Sequence, residues 1–247
     1  MSESLLLFDA GNTRLKWAVK RGGVLHEHGA HTYSEGPLRD ALSKQIGAPP
    51  AQALLASVAS GNVDQDVLDW LTQQECSPEV VRVRPLEHLS LAYNDYEKLG
   101  VDRWLAMLGA QVLYPGPVCV ADCGTALTVD AVTGDGQHLG GVIVPGFELM
   151  QRALLNETAR IGAADVPFPD TLFGDSTGAA VNAGVTYCLA SVLDRFVCET
   201  RQRVDDEPAV LVTGGGRDRL LRYAVSDVIE APDLVLLGLA TLSEAGA

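Results

Sequence analysis

Leu5-Leu6-Leu7-Phe8 is an unbroken apolar run that ends in Asp9-Ala10-Gly11-Asn12-Thr13. A run with no polar face reads as a strand covered on both sides, and the glycine-containing segment after it as a turn. The chain resumes with Leu15-Lys16-Trp17-Ala18-Val19, which alternates like a second strand. About half a chain later the same phrase returns. Val118-Cys119-Val120-Ala121 is the buried run, Asp122-Cys123-Gly124-Thr125 the turn, and 127–132 the following strand. That spacing is far too long for a solenoid repeat. It predicts a duplicated α/β domain in which each copy opens with strand, Asp-x-Gly turn and strand.

Between the two phrases, 53–58 reads as a strand and 64–74 as a helix. Trp104, Leu105, Leu108 and Val112 recur at helical spacing over 101–113. Tyr114-Pro115-Gly116-Pro117 then breaks the chain, which places a domain boundary there and predicts units of 1–114 and 115–247. Beyond it, 138–144 is a strand, 147–155 a helix after Pro145-Gly146, and 177–203 one long helix. A strand at 209–212 runs into Thr213-Gly214-Gly215-Gly216, and 233–245 is helical. The stripe Val181, Val185, Leu189, Val192 and Phe196 fits burial in its own domain, the reading periodicity favours, or against a neighbouring chain.

Charge narrows the ligands. The 247 residues carry 18 Lys and Arg against 32 Asp and Glu, a net charge of −14. Nucleic acid and anionic membrane both need basic surface, so neither is expected as a partner. An anionic ligand would have to be held by local amides, a few placed cations or bound metal. The five cysteines include no CxxC pair, which suggests buried thiols, Cys188 among them, in a reducing cytosol. The first residues have neither the basic stretch nor the apolar length of a secretion signal, and no apolar run approaches the ~18 residues of a membrane span. A cytoplasmic protein is expected.

An Asp at the end of a buried strand, followed by a glycine turn, presents a carboxylate and several amides at one sheet edge, where ligands of α/β folds gather. Two such turns suit a polyphosphate. The amides near Gly11 and Gly124, the hydroxyls of Thr13 and Thr125, and Lys16 would meet phosphate oxygens, while Asp9 and Asp122 would act through a cation or water. Each Asp-Gly could equally be a plain tight turn, although the repetition speaks against it. Asp102 of Gly100-Val101-Asp102-Arg103 stands in a helix's first turn, where the dipole favours an anion. It serves as well for a general base beside Arg103, a forked donor suited to a carboxylate. Gly140-Gly141, Pro145-Gly146 and Gly214-Gly215-Gly216 let backbone approach a ligand, or simply turn the chain. No GxxxxGK[ST] occurs, which excludes a P-loop. Of His26, His28 and His31 only the first two share a strand face, a weak basis for a metal site.

Taken in order, the segments Asp9–Lys16, Leu99-Gly100-Val101-Asp102-Arg103, Asp122-Cys123-Gly124-Thr125-Ala126, Gly140-Gly141 with Pro145-Gly146, and Ser176-Thr177 resemble type III pantothenate kinase, also called the Bvg accessory factor family. The resemblance runs from residue 5 to about 240. It implies a two-domain actin/hexokinase/Hsp70-like (ribonuclease H-like) α/β fold around an ATP cleft, a homodimer, and ATP-dependent phosphorylation of pantothenate to 4'-phosphopantothenate, the first step of coenzyme A biosynthesis. Residue by residue, it implies that Asp9, Ala10, Gly11, Asn12, Thr13, Arg14, Leu15 and Lys16 form the first phosphate loop, with Asp9 holding Mg²⁺ through water. Tyr93, Gly100, Val101, Asp102, Arg103 and Thr177 would bind pantothenate, Asp102 taking the proton of its hydroxyl and Arg103 holding its carboxylate. Asp122 would bind a monovalent cation, potassium or ammonium, and Thr125 the nucleotide. Thr177 would reach the pantothenate pocket across the dimer interface. Two positions depart from the family pattern. Tyr96 stands where a proline is usual after the substrate tyrosine, and Gly214-Gly215-Gly216-Arg217 replaces the usual GGDA.

Two other functions share parts of this pattern. A kinase for another small alcohol would carry the same paired Asp-Gly turns but has no need of Gly-x-Asp-Arg. A nucleotide-binding regulator without turnover has no need of Asp102.

Overall fold

The computed structural model describes residues 4–157 and 169–245. They form two compact units. One takes the chain up to Glu87, Tyr93–Leu113 and everything from Asp233 onward; the other takes His88–Ala92 and Tyr114–Pro232.

The first unit is built on strands β1 (Leu5–Ala10), β2 (Arg14–Arg21), β3 (Val24–Thr32), β4 (Gln52–Ser57) and β5 (Ser77–Val80), with helices α1 (Leu38–Gln45), α2 (Val63–Gln73) and α3 (Val101–Leu113). Its sheet runs β3-β2-β1-β4-β5. The β1-β2 and β2-β3 pairs are antiparallel, and the β1-β4 and β4-β5 pairs are parallel. Leu6, Leu7 and Phe8 are fully buried, as a strand covered on both faces requires. Phe8 meets Trp70 of α2 edge-on, with ring centroids 6.5 Å apart, in a core shared with Leu15, Trp17, Leu55 and Leu71.

The second unit repeats the plan. It contains β6 (Val118–Cys123), β7 (Ala126–Val132), β8 (His138–Pro145), β9 (Ala209–Thr213) and β10 (Val228–Glu230), with helices α4 (Phe147–Glu157), α5 (Thr177–Arg201) and α6 (Arg217–Tyr223). The sheet order β10-β9-β6-β7-β8 is the first unit's order with each strand replaced by its counterpart, and the parallel and antiparallel pairings match. The duplication expected from the two Asp-Gly phrases is therefore present in topology. Val185 and Leu189 of α5 lie in this unit's core, with Val181, Val192 and Phe196 packed beside them. The apolar stripe of the long helix thus faces its own sheet.

Three features differ from the sequence reading. The closing helix α7 (Leu234–Ala245) belongs to the first unit, whereas the 115–247 segment was expected to hold together. Glycines explain its place. A Cβ on Gly109 would fall 2.2 Å from the Leu234 carbonyl oxygen, and one on Gly238 would fall 2.1 Å from that of Leu105, so α3 and α7 touch backbone to backbone. Second, Cys188 and Cys198 are exposed, while Cys76, Cys119 and Cys123 are buried; all five are free thiols. Cys188 borders a surface groove between α4 and α5, beside Val181 and Val185. Third, Val112 is 53% exposed, because α3 buries nearly all its residues through Ala110 and then leaves the core. Among the described residues, no helix is long and apolar enough to cross a membrane.

Candidate functional site

In the first unit, β1 and β2 fix the Asp9 turn. Asp9 pairs with Lys16 and Ala10 with Leu15, and the Gly11 N–H donates to the Arg14 carbonyl at 3.1 Å. On its other side β1 pairs in parallel with β4, where Asp9 stands beside Ala56, and the Val58 N–H donates to the Ala10 carbonyl at 3.0 Å. Asn12 and Thr13 are exposed, and Asp9, Gly11, Arg14 and Lys16 are half-buried. Ala10 and Leu15 are fully buried, so only their main chain can serve a ligand.

Tyr33 underlies this turn. Its N–H donates to the Thr13 carbonyl at 3.1 Å and its hydroxyl to the Gly11 carbonyl at 2.9 Å. Burial first, then the nearby Asp9 and Asp64 carboxylates, push the phenol well above its ordinary range, so it stays a donor. The Asp64 carboxylate itself accepts from Ser57 Oγ at the end of β4.

The Gly100–Arg103 segment also lies in the first unit. The Trp104 N–H donates to the Gly100 carbonyl at 3.1 Å and opens α3. Asp102 is half-buried in the first turn, where its Oδ1 accepts from the Arg103 N–H at 2.8 Å. A Cβ on Gly100 would lie 2.5 Å from that same oxygen, so glycine is what lets Asp102 turn back here. Arg103 is only 6% exposed. Its guanidinium donates to Tyr93 Oη at 2.9 Å and stands 5.8 Å from that ring's centroid. The structure therefore brings Tyr93, Gly100, Asp102 and Arg103 together, with a carboxylate and a forked cation on successive residues. A carboxylate can take a proton and the fork can bind a second carboxylate.

The second unit makes the corresponding turn from glycines. Asp122 is one residue from the end of β6, as Asp9 is from the end of β1, and the Gly124 N–H donates to the Ala126 carbonyl at 2.9 Å. Two further segments close on it. The Gly146 N–H donates to the Thr125 carbonyl at 2.8 Å, and the Gly216 N–H to the Cys123 carbonyl at 2.8 Å. Gly214 has φ +91°, and a Cβ there would fall 2.5 Å from Asp122 Oδ1 and 2.4 Å from the Cys123 carbonyl oxygen. Each glycine motif is weak as sequence; in the fold, Gly146, Gly214 and Gly216 gather around the 122–125 turn, Gly214 closest to its carboxylate. Burial, helped by Asp122 and Glu148, pushes the Cys123 thiol up to about 12. Arg219 opposes that shift, donates to Asn182 Oδ1 at 2.8 Å and to Thr186 Oγ1 at 3.2 Å, and stacks 4.6 Å above Phe147.

Thr177 is exposed in the first turn of α5 behind its Ser176 cap, whose Oγ accepts from the Ala179 N–H at 3.3 Å. It borders a groove of about 660 Å³ between α4 and α5, lined by Leu149, Met150, Val181 and Cys188 among others. Sequence reasoning missed Tyr33 and Arg219. Neither belongs to a motif, and only the β2-β3 register and the fold of α6 bring them in.

Comparison with known proteins identifies the family. A sequence profile of the family described as type III pantothenate kinase matches residues 5–199. A type III pantothenate kinase of Nitrosococcus oceani is 34% identical over 250 residues, covering 97% of this chain and 94% of its own. Among solved structures, the activator of the 2-hydroxyisocaproyl-CoA dehydratase from Clostridium difficile, with bound ADPNP, superposes with a TM-score of 0.55 at 12% identity, over 100% of this chain and 98% of that one. MreB 5 of Spiroplasma citri, bound to AMPPNP, gives 0.52 at 12% identity, over 99% and 97%. These structural likenesses show the fold, which is the actin/hexokinase/Hsp70-like one. A profile match over most of the chain together with a full-length relative shows more than a fold, and the chain belongs to the type III pantothenate kinase family.

Proposed function

We propose that this protein is a cytoplasmic kinase that transfers the γ-phosphoryl group of ATP to the primary hydroxyl of pantothenate, giving 4'-phosphopantothenate and ADP in coenzyme A biosynthesis. Family membership supports the reaction. The observation that carries the residue assignment is the Tyr93-Gly100-Asp102-Arg103 cluster, a base next to a carboxylate-binding fork.

In this reading Arg103, steadied by Tyr93, holds the pantothenate carboxylate, and the main chain of Gly100 and Val101 lines its path. Asp102 accepts the hydroxyl proton as that oxygen bonds to the γ-phosphorus and the bond from phosphorus to the ADP oxygen breaks. The main chain of Asp9 to Leu15, the Thr13 hydroxyl and Lys16 hold the phosphates, and Thr125 meets the nucleotide. Asp9, a half-buried carboxylate beside a row of amides, fits Mg²⁺ held through water. Asp122, a half-buried carboxylate with the Cys123 carbonyl nearby, would hold potassium or ammonium. When bound, such cations neutralise phosphate charge, which a protein of net charge −14 otherwise repels.

The active form in this reading is a homodimer in which a second copy covers the α4-α5 groove and brings Thr177 to its partner's pantothenate. Leu149 and Leu154 on the groove, with Leu172 and Phe173 just before α5, are exposed apolar side chains that a second copy would cover. The test of the whole reading is phosphopantothenate formation with and without potassium. Absence of product from pantothenate and ATP, with turnover of another alcohol, overturns it.

A further inference from the structure

Tyr33 touches the first phosphate loop twice and belongs to none of the motifs that suggested the loop. Its N–H takes the Thr13 carbonyl and its hydroxyl takes the Gly11 carbonyl. A trans peptide points its N–H opposite to its C=O. Turning the Gly11 carbonyl toward Tyr33 therefore turns the Asn12 N–H away from it, and turning the Thr13 carbonyl does the same for Arg14. Only the second of these is an ordinary continuation of the β2-β3 ladder, since Arg14 pairs with Thr32 there. The Gly11–Asn12 peptide lies beyond the β1-β2 pairs, and the side-chain hydroxyl is what fixes its rotation.

The groups around the phenol hold this arrangement in place. Asp9 and Asp64 both lie near enough to raise its proton affinity. Asp64 is engaged by Ser57 Oγ, whose other bond is from the Ala59 N–H at 3.2 Å, so the support extends to the end of β4. Burial, the largest cause of its raised proton affinity, keeps the phenol a donor to the Gly11 carbonyl.

We infer that Tyr33 is a positioning residue for ATP, its hydroxyl rotating the Gly11–Asn12 peptide so that the Asn12 amide faces the phosphates. The inference rests on the reading of Asp9–Lys16 as the phosphate loop. Tyr33 acts through that peptide and not on the reacting atoms. Its loss should weaken nucleotide binding through the phosphates and leave the nucleoside and pantothenate alone.

The experiment measures dissociation constants for ATP and adenosine, and KM for pantothenate, in the wild type, in Tyr33→Phe and in Thr13→Val. Tyr33→Phe is expected to weaken ATP roughly 3- to 10-fold, the scale of one hydrogen bond, with adenosine and pantothenate unchanged. 4-Aminophenylalanine placed at position 33 retains a donor and should restore much of the loss. Unchanged ATP affinity in folded Tyr33→Phe, with Thr13→Val weakened, overturns the role of Tyr33 and keeps the loop. Unchanged affinity in both withdraws the loop reading and this inference with it. Equal weakening of ATP and adenosine shows a merely structural tyrosine and also overturns it. Should Tyr33→Phe not fold, 4-methoxyphenylalanine at position 33, which keeps the oxygen but cannot donate, decides: a lowered ATP-to-adenosine affinity ratio supports the inference, and a ratio equal to the wild type's overturns it.

Discussion

At the scale of single residues, the proposed chemistry turns on Asp102 and on the glycine that makes room for it. Asp102→Asn keeps the size of the side chain and its acceptor for the Arg103 amide but removes the base. Turnover should fall about 10²–10⁴-fold while ATP still binds, since the phosphate loops are elsewhere in sequence. A folded variant with near-normal kcat would end the assignment. Gly100→Ala tests the same carboxylate from the other side. Its new methyl would lie 2.5 Å from Asp102 Oδ1, so Asp102 must rotate and lose its bond to the Arg103 amide. The expected result is a loss of kcat with a much smaller change in unfolding midpoint, measured by parallel kinetics and thermal melts. Thiol chemistry separates the cysteines on the same local grounds. Burial pushes Cys119 to about 11 and Cys123 to about 12, so at pH 9 both stay protonated in the folded protein. An alkylating reagent at that pH should label the exposed Cys198 and spare both, as peptide mass mapping would show.

At the scale of elements, what could be read from sequence depended on whether the cue was local. The buried runs of β1 and β6 are local, because an apolar stretch with no polar face can only be covered on both sides, and the structure covers them. The span of α3 was local too, since Gly100 and the Tyr114-Pro115-Gly116-Pro117 break bracket it. The β3 strand, with its three histidines and mostly exposed positions, carried no such cue; an edge strand needs no apolar face. The site divides in the same way. Asp9, Asp102 and Asp122 stand in motifs, whereas Tyr33 reaches the Gly11 carbonyl only through the register of the β2-β3 hairpin. The place of α7 was the least legible, because Gly109 and Gly238 become a packing pair only once both helices exist. That pair makes a prediction of its own. Gly238→Ala puts a methyl 2.1 Å from the Leu105 carbonyl oxygen, a rigid neighbour, and should destabilise the first unit by about 1–3 kcal/mol. Equilibrium urea unfolding checks it, and an unchanged midpoint would mean that the two helices slide apart at little cost.

At the scale of the whole molecule, two questions remain physical: which cation the protein uses and how many chains make a site. If Asp122 holds a dehydrated monovalent cation, potassium and ammonium should activate and sodium should not, at matched ionic strength. Equal rates in all three salts would remove the cation from the mechanism. The dimer is the sharper case, because the α5 stripe that periodicity could have offered to a neighbour packs largely on its own sheet. Val181 and Val185 of that stripe also line the α4-α5 groove, which carries Thr177 and the exposed Cys188 and is the surface a second copy would cover. Two measurements then go together. Alkylation of Cys188 should slow as protein concentration rises into the dimeric range, while Cys198 keeps its rate. Mixing Asp102→Asn chains with Thr177→Trp chains, each inactive alone, should restore activity. In a mixed dimer with shared sites both lesions fall in one site and the other is intact, so each heterodimer regains about half of a normal dimer's turnover. If Thr177 serves the Asp102 of its own chain, every mixed site carries a lesion and no activity returns. Protection of Cys188 without complementation would leave the groove as a dimer face but take Thr177 out of the partner's site.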